Sequence, residues 1–276
     1  MRRAGVVARV RRVQTDEFFE RGASIVDRLT NTQEPPPWQL VLVTGALALL
    51  LVSYGPLWRM ARNVVTIVHE GGHALAALLT GRRLDRITLH SDTSGLTVSS
   101  GKPYGPGMIL TALAGYPAPP LLGLGFAALL GADRITLMLW TSIVLLAAVL
   151  IKVRNLYGAF TVVTLGGLIF VVSWFGTDIV QAAFAYLAAW FLLFAGLRPV
   201  IEMQRGRRRG WGNPGAVGSD ADQLAGLTKL PALFWVVVFA ATAVAALVYG
   251  GGLLFSEATG ICVPLVSSGD CPAPSI

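Results

Sequence analysis

Charged residues are scarce in this chain of 276 residues: they make up 13% of it, against 54% hydrophobic residues. Histidine is rarer still, with three in the whole chain, and there are two cysteines. So little charge excludes an ordinary water-soluble globular protein, in which about a quarter of the residues are charged. It also leaves too few acids and bases in the apolar stretches for the ion or proton relay of a transporter.

Long apolar stretches are what the chain has instead of charge. A membrane-spanning helix needs about 20 mostly apolar residues to cross a hydrocarbon core of about 30 Å. The sequence therefore predicts an all-α polytopic membrane protein with about seven transmembrane helices and no separate soluble domain. The predicted spans cover residues 38–54, 63–80, 107–130, 135–151, 156–175, 179–197 and 231–255.

The positive charges are distributed unevenly between the two sides that these spans define. If the N-terminus is cytoplasmic, all but three of the 22 Lys and Arg residues lie in cytoplasmic segments, as the positive-inside bias requires. The exceptions are Arg59, Arg62 and Arg134, and Asp133 and Asp178 are also assigned to the outside. The net charge of +7 then reflects topology and contact with anionic lipid, so nucleic acid is not an expected partner.

The same topology divides the chain into three regions and predicts a multi-pass protein of the cell membrane. Residues 1–37 are a basic cytoplasmic tail, residues 38–255 are the membrane-embedded domain, and residues 256–276 are a tail outside the cell. Cys262 and Cys271 fall in the outside tail, where an oxidising compartment lets them pair. Two free thiols are the alternative.

Two of the three histidines lie in one apolar stretch, as His69-Glu70-Gly71-Gly72-His73. On a helix this spacing puts both imidazoles on one face, where they can hold one Zn²⁺, with Glu70 beside them to accept a proton from water. Ionisable side chains in mid-membrane cost about 2.5–3.5 kcal/mol each. Metal binding offsets that cost, whereas the alternative, a polar helix face satisfied by hydrogen bonds, does not explain all three.

Around this motif the sequence resembles the intramembrane site-2 protease family, most closely its M50B-like bacterial branch. The resemblance covers about residues 64–235 and rests on HEGGHALAALLTG (69–81), AGY (114–116), RNLYG (154–158) and SDAD (219–222). It implies a motif helix that runs from outside to inside, followed by a cytoplasmic sheet-like segment. Residues 86–90 and 95–100 are expected to form a hairpin there, whose edge can align a substrate by strand addition. A surface loop is the alternative.

The third zinc ligand is less clearly marked in the sequence. A catalytic zinc usually has three protein ligands, and the resemblance implies an Asp from an Asn-x-x-Pro-x-x-x-x-Asp-Gly motif. The nearest match, residues 213–221, has altered spacing and Ala221 in place of Gly. Its aspartate, Asp220, is the predicted ligand. Asp222 and His90 are the other candidates.

Asp220 also fits a structural role, as the first residue of a helix capped by Ser219. A further residue of the resemblance is Asn155, at the cytoplasmic mouth of the fifth predicted span. It is predicted to bind substrate through a carbonyl or the oxyanion, and anchoring of a helix end is the alternative.

Together these features predict an intramembrane zinc metalloprotease that cleaves a membrane protein substrate in or near its membrane-embedded segment. His69, His73 and Asp220 would hold Zn²⁺, and Glu70 would be the catalytic base. The alternative is a non-catalytic membrane scaffold or regulator that keeps the protease fold.

Overall fold

The computed structural model describes residues 20–208 and 218–259, with side chains as far as residue 256. The cysteines and most of the two predicted tails lie outside the described residues. The described helices, in chain order, are α1 (20–30), α2 (Trp38–Ser53), α3 (Gly55–Leu79), α4 (Pro106–Leu113), α5 (Ala118–Leu130), α6 (Ile135–Lys152), α7 (Leu156–Phe175), α8 (Asp178–Ala195), α9 (Leu197–Arg208), α10 (Asp220–Thr228) and α11 (Ala232–Thr259).

One hairpin interrupts the helices, between α3 and α4. Strand β1 (Arg83–Leu89) pairs antiparallel with β2 (Gly95–Ser100) through a turn at residues 90–94. The hairpin expected from the sequence is therefore confirmed. On the β1 side the hairpin is bordered by Val153, the residue that follows α6, which forms a parallel bridge with Ile87.

Helix α8 is the centre of the helix array. About 61% of the residues in its span are buried, against 22–28% in α6, α7 and α11. Many of its apolar side chains, among them Ala185, Tyr186 and Leu193, are almost fully buried in the main hydrophobic cluster. Helices α2, α5 and α11 pack around it, which leaves one face of each for lipid.

A multi-pass membrane protein is confirmed, but the count of about seven spans is not. Four described helices are long and apolar enough to cross a membrane: α6, α7, the continuous α8–α9 and α11. Two more crossings arise if α2 with α3, bent by 99°, and α4 with α5, bent by 70°, each count as one. Helix α3 has the length to cross alone, but the His and Glu side chains of its motif lower its hydropathy.

The direction of α2 differs from the sequence-based topology. Residues 38–54 were predicted to leave the cytoplasm and residues 179–197 to return to it, which makes the two spans antiparallel. In the structure the two helices run parallel. Gly45 of α2 packs on Trp190 of α8, and further along both helices Arg198 donates a hydrogen bond to the Val52 carbonyl.

Contacts of the segment that precedes α2 agree with this correction. Near the start of α2, Arg28 forms an ion pair with Asp178, and the Gln33 N–H donates to the Asp133 carbonyl at 2.8 Å. The prediction that the N-terminal segment lies opposite Asp133 and Asp178 is therefore wrong. The physical reason is the 99° bend between α2 and α3, which lets the two predicted spans count as one crossing.

Labelling of single cysteines tests this arrangement. With Cys262 and Cys271 replaced by Ser, we expect Ser24→Cys and Thr177→Cys to react with a membrane-impermeant maleimide under the same condition, either in intact or only in permeabilised cells. Ser91→Cys, in the exposed hairpin turn, should react under the opposite condition. A shared pattern for positions 24 and 91 would contradict the single crossing.

Candidate metal centre

Three side chains from two helices converge on one point. His69 and His73 lie one turn apart on α3, and Asp220 is the first residue of α10. Asp220 Oδ2 lies 3.4 Å from His69 Nε2 and 3.2 Å from His73 Nε2, and the two Nε2 atoms are 3.1 Å apart. Tetrahedral bonds of the length that Zn²⁺ forms put neighbouring ligand atoms about 3.3 Å apart. The three atoms therefore have the spacing of a zinc ligand set.

The chemistry of these three atoms also fits a cation. Asp220 Oδ2 is buried and, among the described residues, has no hydrogen-bond partner of acceptable geometry. Burial alone would raise the pKa of the Asp220 carboxyl, but the polar contacts and charges of His69 and His73 outweigh it and hold the pKa below its ordinary value. An ionised oxygen thus faces two imidazole nitrogens.

A second hydrogen bond fixes which nitrogen of His73 faces this point. Its Nδ1 lies 2.7 Å from the Thr111 carbonyl oxygen. A carbonyl can only accept, so Nδ1 carries a proton, and in the neutral form of the ring Nε2 would present its lone pair to a metal. Metal-binding histidines are commonly oriented in this way by a carbonyl behind them.

The same carbonyl explains why α4 ends where it does. In a continuing helix the Thr111 oxygen would accept from the Gly115 N–H, four residues on. Here it accepts from His73 and, at 3.4 Å, from the Ala114 N–H, and Pro117, which has no N–H, follows in the turn. A side chain that inserts into the helical hydrogen-bond ladder produces a sharp bend. The 70° angle between α4 and α5 is thus coupled to the orientation of His73.

Two glycines permit the close approach of the α4–α5 turn to α3. A Cβ on Gly115 would lie 2.6 Å from His69 Cε1 and closer still to His73 Nε2. A Cβ on Gly72 would lie 2.6 Å from the Ala114 carbonyl oxygen. Any other residue at position 115 would displace the imidazoles, so this glycine belongs to the site.

Asp220 is positioned by the N-terminus of α10. Ser219 and Asp222 form a reciprocal capping box there, and Asp222 also accepts from Arg207 of α9 at 2.8–2.9 Å. Leu224, one turn into the helix, is fully buried in a second hydrophobic cluster. The capped helix start and the approach of Asp220 to the imidazoles are therefore compatible, and Asp222 makes the cap contacts.

The Glu70 side chain contacts the hairpin. It is buried, with 4% of the residue exposed. The Thr97 hydroxyl on β2 lies 2.6 Å from Glu70 Oε2, and a Cβ on Gly95 would come within 2.6 Å of Oε1. The carboxylate is therefore in contact with β2 through both oxygens.

The two alternative ligands lie elsewhere. Asp222 is engaged by Ser219 and Arg207. His90 is exposed in the hairpin turn, where its Nδ1 is 3.3 Å from the Ser94 hydroxyl. Neither belongs to the group of potential ligands that the described residues form, which is His69, His73 and Asp220.

Asn155, the predicted substrate-binding residue, contacts strand β1. Its side-chain amide donates to the Leu89 carbonyl at 2.6 Å, and its Oδ1 accepts from the Leu89 N–H at 3.2 Å. Both polar groups of the side chain are therefore taken up by β1, at the start of α7. In this structure Asn155 fastens the hairpin to the helix array, which corresponds to the alternative of a structural anchor.

Sequence reasoning missed three participants. Thr97 and Gly95 have no local pattern that marks them, because their partner Glu70 is distant in sequence and the contact depends on how the hairpin folds back. Thr111 contributes its backbone carbonyl, and the side chain at that position in the sequence gives no sign of this role. Gly115, by contrast, lies in one of the segments that carry the family resemblance.

Comparison with known proteins shows the family of the chain. A model of the Peptidase M50B-like family matches residues 42–250, which is well over half of the chain. The chain belongs to the M50B-like peptidase family. The family resemblance in the sequence is thus confirmed, and the matched region of this M50B-like peptidase extends from α2 into α11. No curated protein and no solved structure matches the chain.

Metal analysis of purified variants tests the ligand set. We expect Asp220→Asn and His73→Ala each to weaken zinc binding by more than about 100-fold, since loss of even a residue that only orients a ligand costs up to that much. Zinc content would be measured by mass spectrometry after equilibration with a zinc buffer.

Asp222 and His90, the two alternative ligands, provide matched controls. Asp222→Asn should keep its zinc although it loses a capping contact, and His90→Ala should keep it because the hairpin turn lies away from the site. Zinc loss in Asp222→Asn with retention in Asp220→Asn would reverse the assignment of the two carboxylates.

Proposed function

We propose that this M50B-like peptidase is an intramembrane zinc metalloprotease that hydrolyses a peptide bond in or near a membrane-embedded segment of a membrane protein substrate. The convergence of His69, His73 and Asp220 supports this proposal most directly. Bound Zn²⁺ would lower the pKa of water and polarise the scissile carbonyl. The ligand side chains are 12–21% exposed, so the site is shielded from bulk solvent and still within reach of water.

Glu70 is the general base of the proposed reaction. It follows His69 directly on α3, and the Thr97 hydroxyl donates a hydrogen bond to its Oε2. The carboxylate takes a proton from the attacking water and later gives it to the leaving amine. Glu70 is not part of the ligand group, which leaves it available for proton transfer.

The hairpin offers a binding edge for an extended substrate. On the β1 side, Val153 bridges Ile87, and the Arg154 N–H donates to the Ile87 carbonyl at 3.0 Å. The outer edge of β2 has no strand partner in the part of the chain that the structure describes. A substrate segment that unwinds near the site can add there as a third strand, next to the strand that contacts Glu70.

We place the hairpin end of the array at the cytoplasmic face of the cell membrane, where positive charge favours anionic headgroups. The loops and helix ends at this end carry most of the described basic residues. These are Arg82, Arg83, Arg86, Lys102, Lys152, Arg154, Arg198, Arg205, Arg207, Arg208 and Lys229.

Cleavage by a base variant tests the function. We expect Glu70→Gln to abolish cleavage of a single-span membrane protein substrate in liposomes, with a loss of at least about 100-fold, because the amide cannot accept the proton. Fragment release would be followed by gel electrophoresis, and zinc content should be unchanged. Glu34→Gln, on an exposed residue before α2, is the matched control and should cleave normally.

The same preparation distinguishes the protease from the alternative of a non-catalytic scaffold. Cleavage by Glu70→Gln at the wild-type rate would overturn the assignment of the base. A wild-type protein with less than about a tenth of an equivalent of zinc, under conditions that preserve tight sites, would favour a non-catalytic scaffold.

A further inference from the structure

We infer that Thr97 is a positioning residue for the catalytic base, and that strand β2 thereby couples substrate binding to the orientation of Glu70. This inference rests on the proposed function, since it concerns the base of that reaction. The contact joins two segments that are distant in sequence, the motif helix α3 and the second strand of the hairpin.

The hydrogen bond itself is short and well shielded. Thr97 Oγ1 lies 2.6 Å from Glu70 Oε2, and 3.1 Å from the Glu70 backbone carbonyl oxygen. A hydroxyl that donates to a carboxylate forms a stronger bond than one between neutral groups. Because Glu70 is buried, little water competes for Oε2.

Gly95 leaves the space that the Glu70 carboxylate occupies. It lies two residues before Thr97 on β2, so both residues face the same side of the strand. A Cβ at position 95 would come within 2.6 Å of Glu70 Oε1 and 2.8 Å of the carboxyl carbon. The absence of a side chain at Gly95 is therefore what lets Glu70 fit between the hairpin and its own helix.

This arrangement gives β2 two roles. One side of the strand orients Glu70 through Thr97 and Gly95. Its outer backbone edge is the one left without a strand partner among the described residues. A substrate strand that adds at this edge would fix β2 in place, and with it the carboxylate that must lie within hydrogen-bonding distance of the attacking water. An error of about 1 Å in such a group can cost 100-fold in rate.

The chain offers a control contact of the same kind. The Thr66 hydroxyl on α3 donates to the Thr93 carbonyl of the hairpin turn at 2.8 Å. This bond also links α3 to the hairpin, but it involves no atom of Glu70. Removing it reports on hairpin attachment alone.

The test compares Thr97→Val, Thr97→Ser and Thr66→Val in a cleavage assay that separates kcat from KM. We expect Thr97→Val to lower kcat about tenfold or more with KM within about twofold, because the base is misoriented but the β2 edge remains. Thr97→Ser keeps the hydroxyl and should restore kcat. Thr66→Val should keep kcat within about twofold.

Thermal unfolding provides a readout that does not depend on activity. We expect Thr97→Val to lower the unfolding midpoint by about 3 °C or more in the wild-type background and by less in a Glu70→Ala background, where the carboxylate acceptor is gone and only the longer contact with the backbone carbonyl of residue 70 remains. Zinc content should be equal in the wild type, Thr97→Val and Thr66→Val.

Several outcomes would overturn the inference. Three of them concern kcat: equal losses in Thr97→Val and Thr66→Val, a rise in Thr97→Val, or a failure of Thr97→Ser to restore it. The fourth is a shift of the unfolding midpoint by Thr97→Val that is the same in the wild-type and Glu70→Ala backgrounds. Each would leave the proposed function standing if Glu70→Gln is inactive. Normal cleavage by Glu70→Gln would instead remove the proposed function itself.

Discussion

The approach of the Asp220 carboxylate to the imidazoles of His69 and His73 is the constraint on which the rest of the site depends. Three polar atoms within 3.4 Å of one another, in a chain with so few charged residues, are stable only if something compensates for their removal from water. A metal ion would do so, and it would need ligands from segments that are far apart in sequence. Much of the local architecture can be understood as the means of bringing them together.

Breaks in helices accomplish this on the α3 side. The bend between α2 and α3 turns the motif helix away from the direction of the first crossing, and Arg198 caps the end of α2 there while its guanidinium stacks over Trp58 at 4.7 Å. The break between α4 and α5 gives the Thr111 carbonyl to His73 and lets Gly115 approach both rings. A continuous helix at either place would satisfy its own backbone and leave the imidazoles without these neighbours.

The hairpin connects the site with the rest of the helix array. Asn155 fastens β1 to the start of α7, and Thr97 links β2 to Glu70. The hairpin is therefore held on one side by the helices and contacts the base on the other. Under the proposed function, this arrangement would let one small β-element serve both as a binding edge and as a support for catalysis, which a helix with internally satisfied backbone groups cannot do.

The sequence by itself determined the properties that depend on near neighbours along the chain. Hydropathy predicted α6, α7, α8 and α11 as membrane-spanning helices, the spacing of His69 and His73 placed both imidazoles on one face of a helix, and Ser219 marked the start of α10. Tertiary structure alone decided that Asp220 rather than Asp222 faces the imidazoles, that α2 runs parallel to α8, and that Asn155 contacts β1. Periodicity and composition encode which residues share a face of one helix, whereas a bend of 99° or a contact across more than a hundred residues depends on how the helices pack together.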